Sequence, residues 1–313
     1  MQDVRWRVEY DSLWLRFKDT EFRFEDALEV IFDKKKFSPR EIKYGSKLIN
    51  TIEDNCFATH RKADYDQRAT IYRLLNPEKV SNARAIFKKI HEREKPFTFF
   101  TLAEEAHRST NWDYCYVRDT AVGYWTNFYR SVEVQHISVS KGDADGWIAL
   151  FKLFGSALIL DDVEVSEGKG EAIHLHTDLD LRQNQVGEDH YQLPEYSLVD
   201  SFKSGDIAAG LAIAIIQKDK LDWAKVIELA KSNGLINTLG FSLEGINSGS
   251  KKEVFAKSLL DKIKRNMRAE IEVIKSFQGE EIRDLAFRGA EERWNVRCYQ
   301  PDVFRKIAVD LVR

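Results

Sequence analysis

The sequence predicts an α+β protein in two domains, and three observations carry that prediction. The first eighty residues show helix-period patterns broken by one hairpin-like segment, the middle of the chain is rich in short apolar runs bounded by Gly, Asp and Asn, and the later part returns to helical periodicity. At 313 residues, 43% hydrophobic and 12% aromatic, the chain is long enough for two cores of ordinary size. No run approaches the ~18 to 20 apolar residues that cross a bilayer, and Asp3, Arg5, Arg7 and Glu9 are unlike a signal sequence, so a soluble cytoplasmic protein with no membrane partner is expected. Cys56, Cys115 and Cys298 lie too far apart for a zinc knuckle, and their odd number argues against a disulfide framework. They are expected as buried small hydrophobes.

The first two helices follow from apolar spacing. Leu13, Trp14 and Phe17 lie on one side of "DSLWLRF", residues 11 to 17, and Phe24, Ala27, Leu28 and Ile31 repeat the i, i+3, i+4, i+7 pattern. A third helix is predicted to start at Pro39, whose missing N–H is tolerated at the first helical position, with Ser38 as its N-cap. At 100° per residue Ile42, Gly45, Leu48, Ile49 and Ile52 gather on a core side, while Arg40, Lys43, Tyr44, Lys47 and Thr51 share an opposite, basic arc. The segment "HRKADYDQRATIYRL", residues 60 to 74, then reads as two strands around a polar turn, with His60, Arg61 and Lys62 before the turn and Arg68 after it. Either Ala69 and Ile71 or Tyr72 and Leu74 would face inward.

Helix, helix, basic-faced helix and hairpin is the order of a winged helix-turn-helix, in which the third helix enters the major groove and the hairpin lies along the backbone. The "DQR" before "IYRL" resembles the wing of MarR-type regulators. Arg40, Lys43, Tyr44 and Lys47, with Thr51 on the same arc, are expected at the bases of double-stranded DNA, and Arg61, Lys62 and Arg68 at its phosphates. A winged helix that binds protein would show the same pattern. The charge distribution favours a polyanion: the chain carries −3 overall, but residues 34 to 73 hold ten basic residues against five acidic. Residues 81 to 249, by contrast, sum to −8.

Asn76-Pro77 marks a predicted boundary, giving a winged helix-turn-helix over 1–78 and a mixed α/β effector domain over 79–313. After a helix reading "AIFKKIHERE", strands are predicted in "PFTFFTL", "DYCYVRD", "VEVQHISVS", "WIALFKLF", "SALILDDVEV" and "EAIHLHTDL". Helices are predicted in "DIAAGLAIAIIQKD", "LDWAKVIELAKSNG" and a charged segment from about 251 to 277, followed by a strand in "RWNVRCY" and a short terminal helix.

Two constellations suggest chemistry. In "HLHTDLD" a strand would project His174, His176, Asp178 and Asp180 from one face, a set able to ligate zinc or manganese, with Glu188 and His190 nearby; a wet strand face gives the same alternation without a metal. In "FGSALILDDVEV" a Gly-Ser turn at 155–156 precedes Asp162 and Glu164 on one predicted strand face, as in nucleotidyltransferases, though with a shorter spacing. These define the competing reading, a metal-dependent nuclease or nucleotidyltransferase-like enzyme with an accessory winged helix. The aromatics Trp112, Tyr114, Tyr116, Tyr124, Trp125, Phe128 and Tyr129 are expected mainly in a core. No P-loop, G-x-G-x-x-G, G-x-S-x-G or H-E-x-x-H is present, so no cofactor and no catalysis are expected.

Residues 193 to 246 carry a family resemblance. The "PE" and "LVD" that open one helix, the "LDW" that opens another and the "LG" before the helix ending near Gly245 resemble the corresponding part of AbiEi-type antitoxins, transcriptional regulators of type IV toxin–antitoxin systems. The resemblance implies repression of the protein's own operon and opposition to a nucleotidyltransferase-like toxin without a stable complex. Repressors of winged-helix shape often act as a homodimer on an inverted-repeat operator, though no dimer surface is identifiable in the sequence. This chain departs from the pattern in a longer N-terminal extension and a charged C-terminal tail.

Overall fold

A computed structural model of the chain describes residues 3–18, 20–63, 66–92, 98–127, 133–177, 190–250 and 253–267, with 272–273, 294, 296–297, 306–307 and 311. In chain order the elements are α1 (Asp3–Phe17), β1 (Phe22–Arg23), α2 (Phe24–Phe32), α3 (Pro39–Asp54), β2 (Ala58–Ala63), β3 (Asp66–Leu74), α4 (Pro77–His91) and α5 (Phe99–Thr110). There follow β4 (Tyr114–Tyr116), α6 (Arg118–Trp125), β5 (Gln135–Val139), α7 (Ala144–Leu153), β6 (Ala157–Leu160), β7 (Val163–Glu167) and β8 (Ala172–His176). The remainder is α8 (Pro194–Lys203), α9 (Ile207–Ile216), α10 (Trp223–Ser232), α11 (Ile236–Ser250), α12 (Lys257–Lys264), β9 (Glu272–Val273) and β10 (Val296–Arg297). The protein is thus mixed α+β. Among the described residues no helix is long and apolar enough to cross a membrane.

The chain divides into two compact units, one of residues 1–114 with 137–181, the other of 115–136 with 182–313. This division differs from the boundary expected at residue 78. The Asn-Pro that suggested a boundary is a local stop between strand and helix: Asn76 caps α4, accepting from the N–H of Glu78 and Lys79, and Pro77 fills the first helical position. Across this junction Arg73 pairs with Asp145, Asp145 also accepts the Asn76 N–H at 2.9 Å, and Lys79 pairs with Asp143. These bonds tie β3 and α4 to the start of α7, and sequence position alone does not announce them.

In the first unit, α1, α2 and α3 pack over a small antiparallel sheet of order β1-β3-β2. The predicted start of α3 is realised as a capping box, in which Ser38 accepts the Glu41 N–H at 3.4 Å and the Glu41 carboxylate accepts the Ser38 N–H at 2.9 Å. Leu48, Ile49 and Ile52 are buried with Leu13, Ala27, Leu28 and Leu74. Gly45 lets α2 come close, since a Cβ there would lie 2.1 Å from the Leu28 side chain. Ile42, expected in this core, is instead 45% exposed: it lies at the margin of the apolar arc, about 60° round the helix from Gly45 at 100° per residue.

The hairpin buries a residue on each face, Ile71 at 9% exposure on one and Leu74 on the other, which explains why alternation left its register open. Tyr72 pairs opposite Phe22 and stacks on it, while Thr59 on the other face donates its hydroxyl to the Val165 carbonyl of β7. Lys152 of α7 donates to the Ala58 carbonyl at 2.8 Å, and its burial pushes the ammonium pKa down. Farther along, β6 runs parallel to β8 and antiparallel to β7.

Two predicted strands are helices. "PFTFFTL" contributes to α5, started by Thr98 and Thr101 in a reciprocal cap, and "WIALFKLF" lies in α7, buried almost all round. Continuous apolar runs do not distinguish a buried strand from a buried helix.

The second unit is predominantly helical. Its core joins Leu198 and Phe202 of α8, Leu211 and Ile213 of α9, and Leu239, Phe241 and Leu243 of α11. The helices predicted in "DIAAGLAIAIIQKD" and "LDWAKVIELAKSNG" form as α9 and α10, and the structure adds that Asp206 and Asp222 cap them. Within the charged segment 251–277 only α12 is helical among the described residues, and residues 272–273 form β9, parallel to β10.

Candidate nucleic-acid interface

The outward face of α3 is set by its burial pattern. With Gly45, Leu48, Ile49 and Ile52 facing the core, the diametrically opposite side presents Lys43, Lys47, Asn50 and Asp54, flanked by Arg40 and Ser46, all exposed. Lys34 donates to Glu41 at 2.7 Å, and with the Ser38 bonds this holds the Glu41 carboxyl at about 2, so the cap of α3 persists well into acid.

Of the eight residues expected at DNA, five have ionic groups without an ion-pair partner among the described residues: Arg40, Lys43, Lys47, Lys62 and Arg68. The other three are differently placed. Tyr44 is half-buried edge-on to Phe32 at 5.9 Å, with the Arg5 guanidinium 5.6 Å from its ring centre. Thr51 spends its hydroxyl on the Lys47 carbonyl at 2.8 Å. Arg61 is gripped by both oxygens of Glu21, at 3.0 and 2.9 Å, on the hairpin face that turns toward β7.

A cleft of about 480 Å³ opens beside α3, lined by Ser46 and Asn50 of the helix, by Arg68, Thr70 and Tyr72 of the hairpin, and by Arg23, Phe24 and Glu25 where β1 passes into α2. Ser46 and Asn50 escaped the sequence reading because they are neither apolar nor basic. The same helical projection places them between the two arcs and was the signal available.

His60 couples β2 to the end of α3. Its Nδ1 lies 2.6 Å from Glu53 Oε1, beside the Tyr72 ring, and the hydrogen bond to Glu53 raises its pKa above the ordinary 6.5, against partial burial and the nearby ammonium groups of Lys152 and Lys62. A raised folded pKa makes the pair stabilising below the unfolded value of about 6.5, with that stability lost as pH rises through the folded pKa. Thermal unfolding of His60→Gln is therefore expected to match wild type at alkaline pH and to fall below it under mildly acidic conditions. Parallel pH profiles would dismiss the coupling.

The constellations of the enzyme reading are placed differently. His174 and His176 do share one face of β8, their rings stacked 4.1 Å apart, but Asp178, Asp180 and Glu188 lie outside the described residues. Asp162 is not on a strand face with Glu164. Asp161 and Asp162 form the β6-β7 turn, both at positive φ (44° and 71°), a backbone that Asp tolerates in tight hairpins. Asp162 stands 3.4 Å from His174 Nε2. Nor is the Gly-Ser turn an open phosphate cradle: Gly168 and Gly170 press on it, a Cβ at Gly168 falling 2.1 Å from the Ser156 carbonyl oxygen. Trp112, Tyr114, Tyr116, Cys56 and Cys115 are buried as expected, whereas Tyr124 is 38% exposed, and Phe128, Tyr129 and Cys298 lie outside the described residues.

No protein-family model, no curated protein and no solved structure matches the chain.

Proposed function

We propose that residues 1–78 act as a winged helix-turn-helix and that the protein is a sequence-specific DNA-binding transcriptional regulator. The observation that carries this reading is the set of unpaired cations on one surface: Lys43 and Lys47 on the outward face of α3, with Arg68 across the cleft. The element order α1-β1-α2-α3-β2-β3, with sheet order β1-β3-β2, supports it. In this reading α3 enters the major groove of an operator and the hairpin meets the backbone, where each cation that neutralises a phosphate releases a counterion. The rest of the chain is the effector part, and the AbiEi-like patterning of residues 193 to 246 suggests an antitoxin that represses its own operon as a homodimer and opposes a nucleotidyltransferase-like toxin.

Selection from a random duplex library tests the reading: an enriched motif supports it, and recovery of no motif from a folded protein overturns it. Asp54 supplies a second check. Its carboxylate sits on the same outward face as Lys43 and Lys47 and would repel phosphates, so Asp54→Asn is expected to tighten binding to all duplexes. Weaker binding by that variant would place the DNA elsewhere.

A further inference from the structure

We propose that the row Ile42, Ser46 and Asn50 is the sequence-reading edge of α3, with the Asn50 amide specifying an adenine and Ile42 packing against a thymine methyl. This deepens the DNA-binding reading above and rests on it.

Three features single out this row. Residues 42, 46 and 50 are spaced by four and line up along the helix, all exposed, beside the row of Lys43 and Lys47. The Asn50 side chain makes no hydrogen bond among the described residues, although Asn55 and Asn76, at helix ends, both use theirs. Ile42 is a large apolar side chain left 45% exposed on a helix that otherwise buries its aliphatics.

The surroundings give the row its orientation. Lys43 and Lys47 stand on one side of it and Arg68, across the cleft shared with Ser46 and Asn50, on the other. Cations on both sides of a polar row match the two phosphate backbones that flank a major groove roughly 12 Å wide. Between those backbones lie base edges, where an Asn amide pairs bidentately with adenine N6 and N7 and an apolar group meets the thymine methyl. At ~1.5 Å per residue the eight steps from Ile42 to Asn50 span roughly 12 Å. With base pairs ~3.4 Å apart, the adenine and the thymine fall about three to four base pairs from each other.

Fluorescence anisotropy with the selected duplex, each base pair replaced in turn, compares wild type with Asn50→Ala and Ile42→Ala. Wild type is expected to lose roughly 5- to 150-fold at one A·T pair, as one bidentate contact commands. Asn50→Ala should lose discrimination at that pair alone, and Ile42→Ala at a second pair that carries a thymine. Both sites are exposed and helical, so alanine leaves folding intact, which circular dichroism checks. If Asn50→Ala keeps every preference of wild type, the inference falls while the DNA-binding reading stands. If wild type shows no preference among duplexes, or prefers single-stranded RNA, the reading itself falls and this inference with it.

Discussion

Replacing Lys43, Lys47 and Arg68 together by alanine is expected to remove measurable duplex binding while leaving the fold intact. All three are exposed and without ion-pair partners among the described residues, so their loss breaks no bond that holds the protein together. In water such side chains contribute little to stability. Against DNA each phosphate contact contributes about 0.9 to the slope of log affinity on log salt, so the triple change lowers that slope by roughly 2.7 if each residue meets one phosphate. Arg61→Ala is the informative control. Glu21 holds that guanidinium on the hairpin face turned toward β7, so the substitution should leave the slope nearly unchanged. Titrations at several salt concentrations measure both, and an effect of Arg61→Ala as large as that of Arg68→Ala would show that the hairpin meets DNA with its other face.

The largest loss of stability is expected at Trp147. Its ring is fully buried in α7, with Trp112, Tyr114 and Phe151 around it at centroid distances of 5.7 Å. Gly146 beside it already leaves no spare room, because a Cβ there would stand 2.3 Å from the Trp112 ring. A core this tightly filled relaxes little when emptied, so Trp147→Ala should cost about 3 to 5 kcal/mol. Trp147→Phe should cost much less. The indole N–H has no acceptor among the described residues, and phenylalanine removes that buried donor along with part of the ring. Denaturant unfolding distinguishes the two. Equal losses for both variants would contradict this account of the Trp147 site.

The parts of the fold legible in the sequence are those fixed by local chemistry. Ser38, Pro39 and Glu41 announce the start of α3 because a cap needs those residue types at that spacing. α9 and α10 were legible from their apolar runs, while their caps, Asp206 and Asp222, were not singled out. What depends on distant partners was not legible. "WIALFKLF" looks like a strand until α4 is seen packed against it, and the bonds from Asp145 to Arg73 and to the Asn76 N–H join residues too distant in sequence to be read as partners. The site divides along the same line. Lys43 and Lys47 were visible as charges at helical spacing, whereas the capture of Arg61 by Glu21 and the opening of a cleft at Asn50 depend on how the hairpin lies against α3 and β7.

The central claim, that α3 and the hairpin form a sequence-reading DNA surface, is tested most directly by anisotropy of the library-enriched duplex against its scrambled counterpart over a range of salt. The expected result is binding about a thousandfold or more tighter than to the scramble, with both affinities falling steeply as salt rises. Equal affinity for the two duplexes, or binding indifferent to salt, would contradict it.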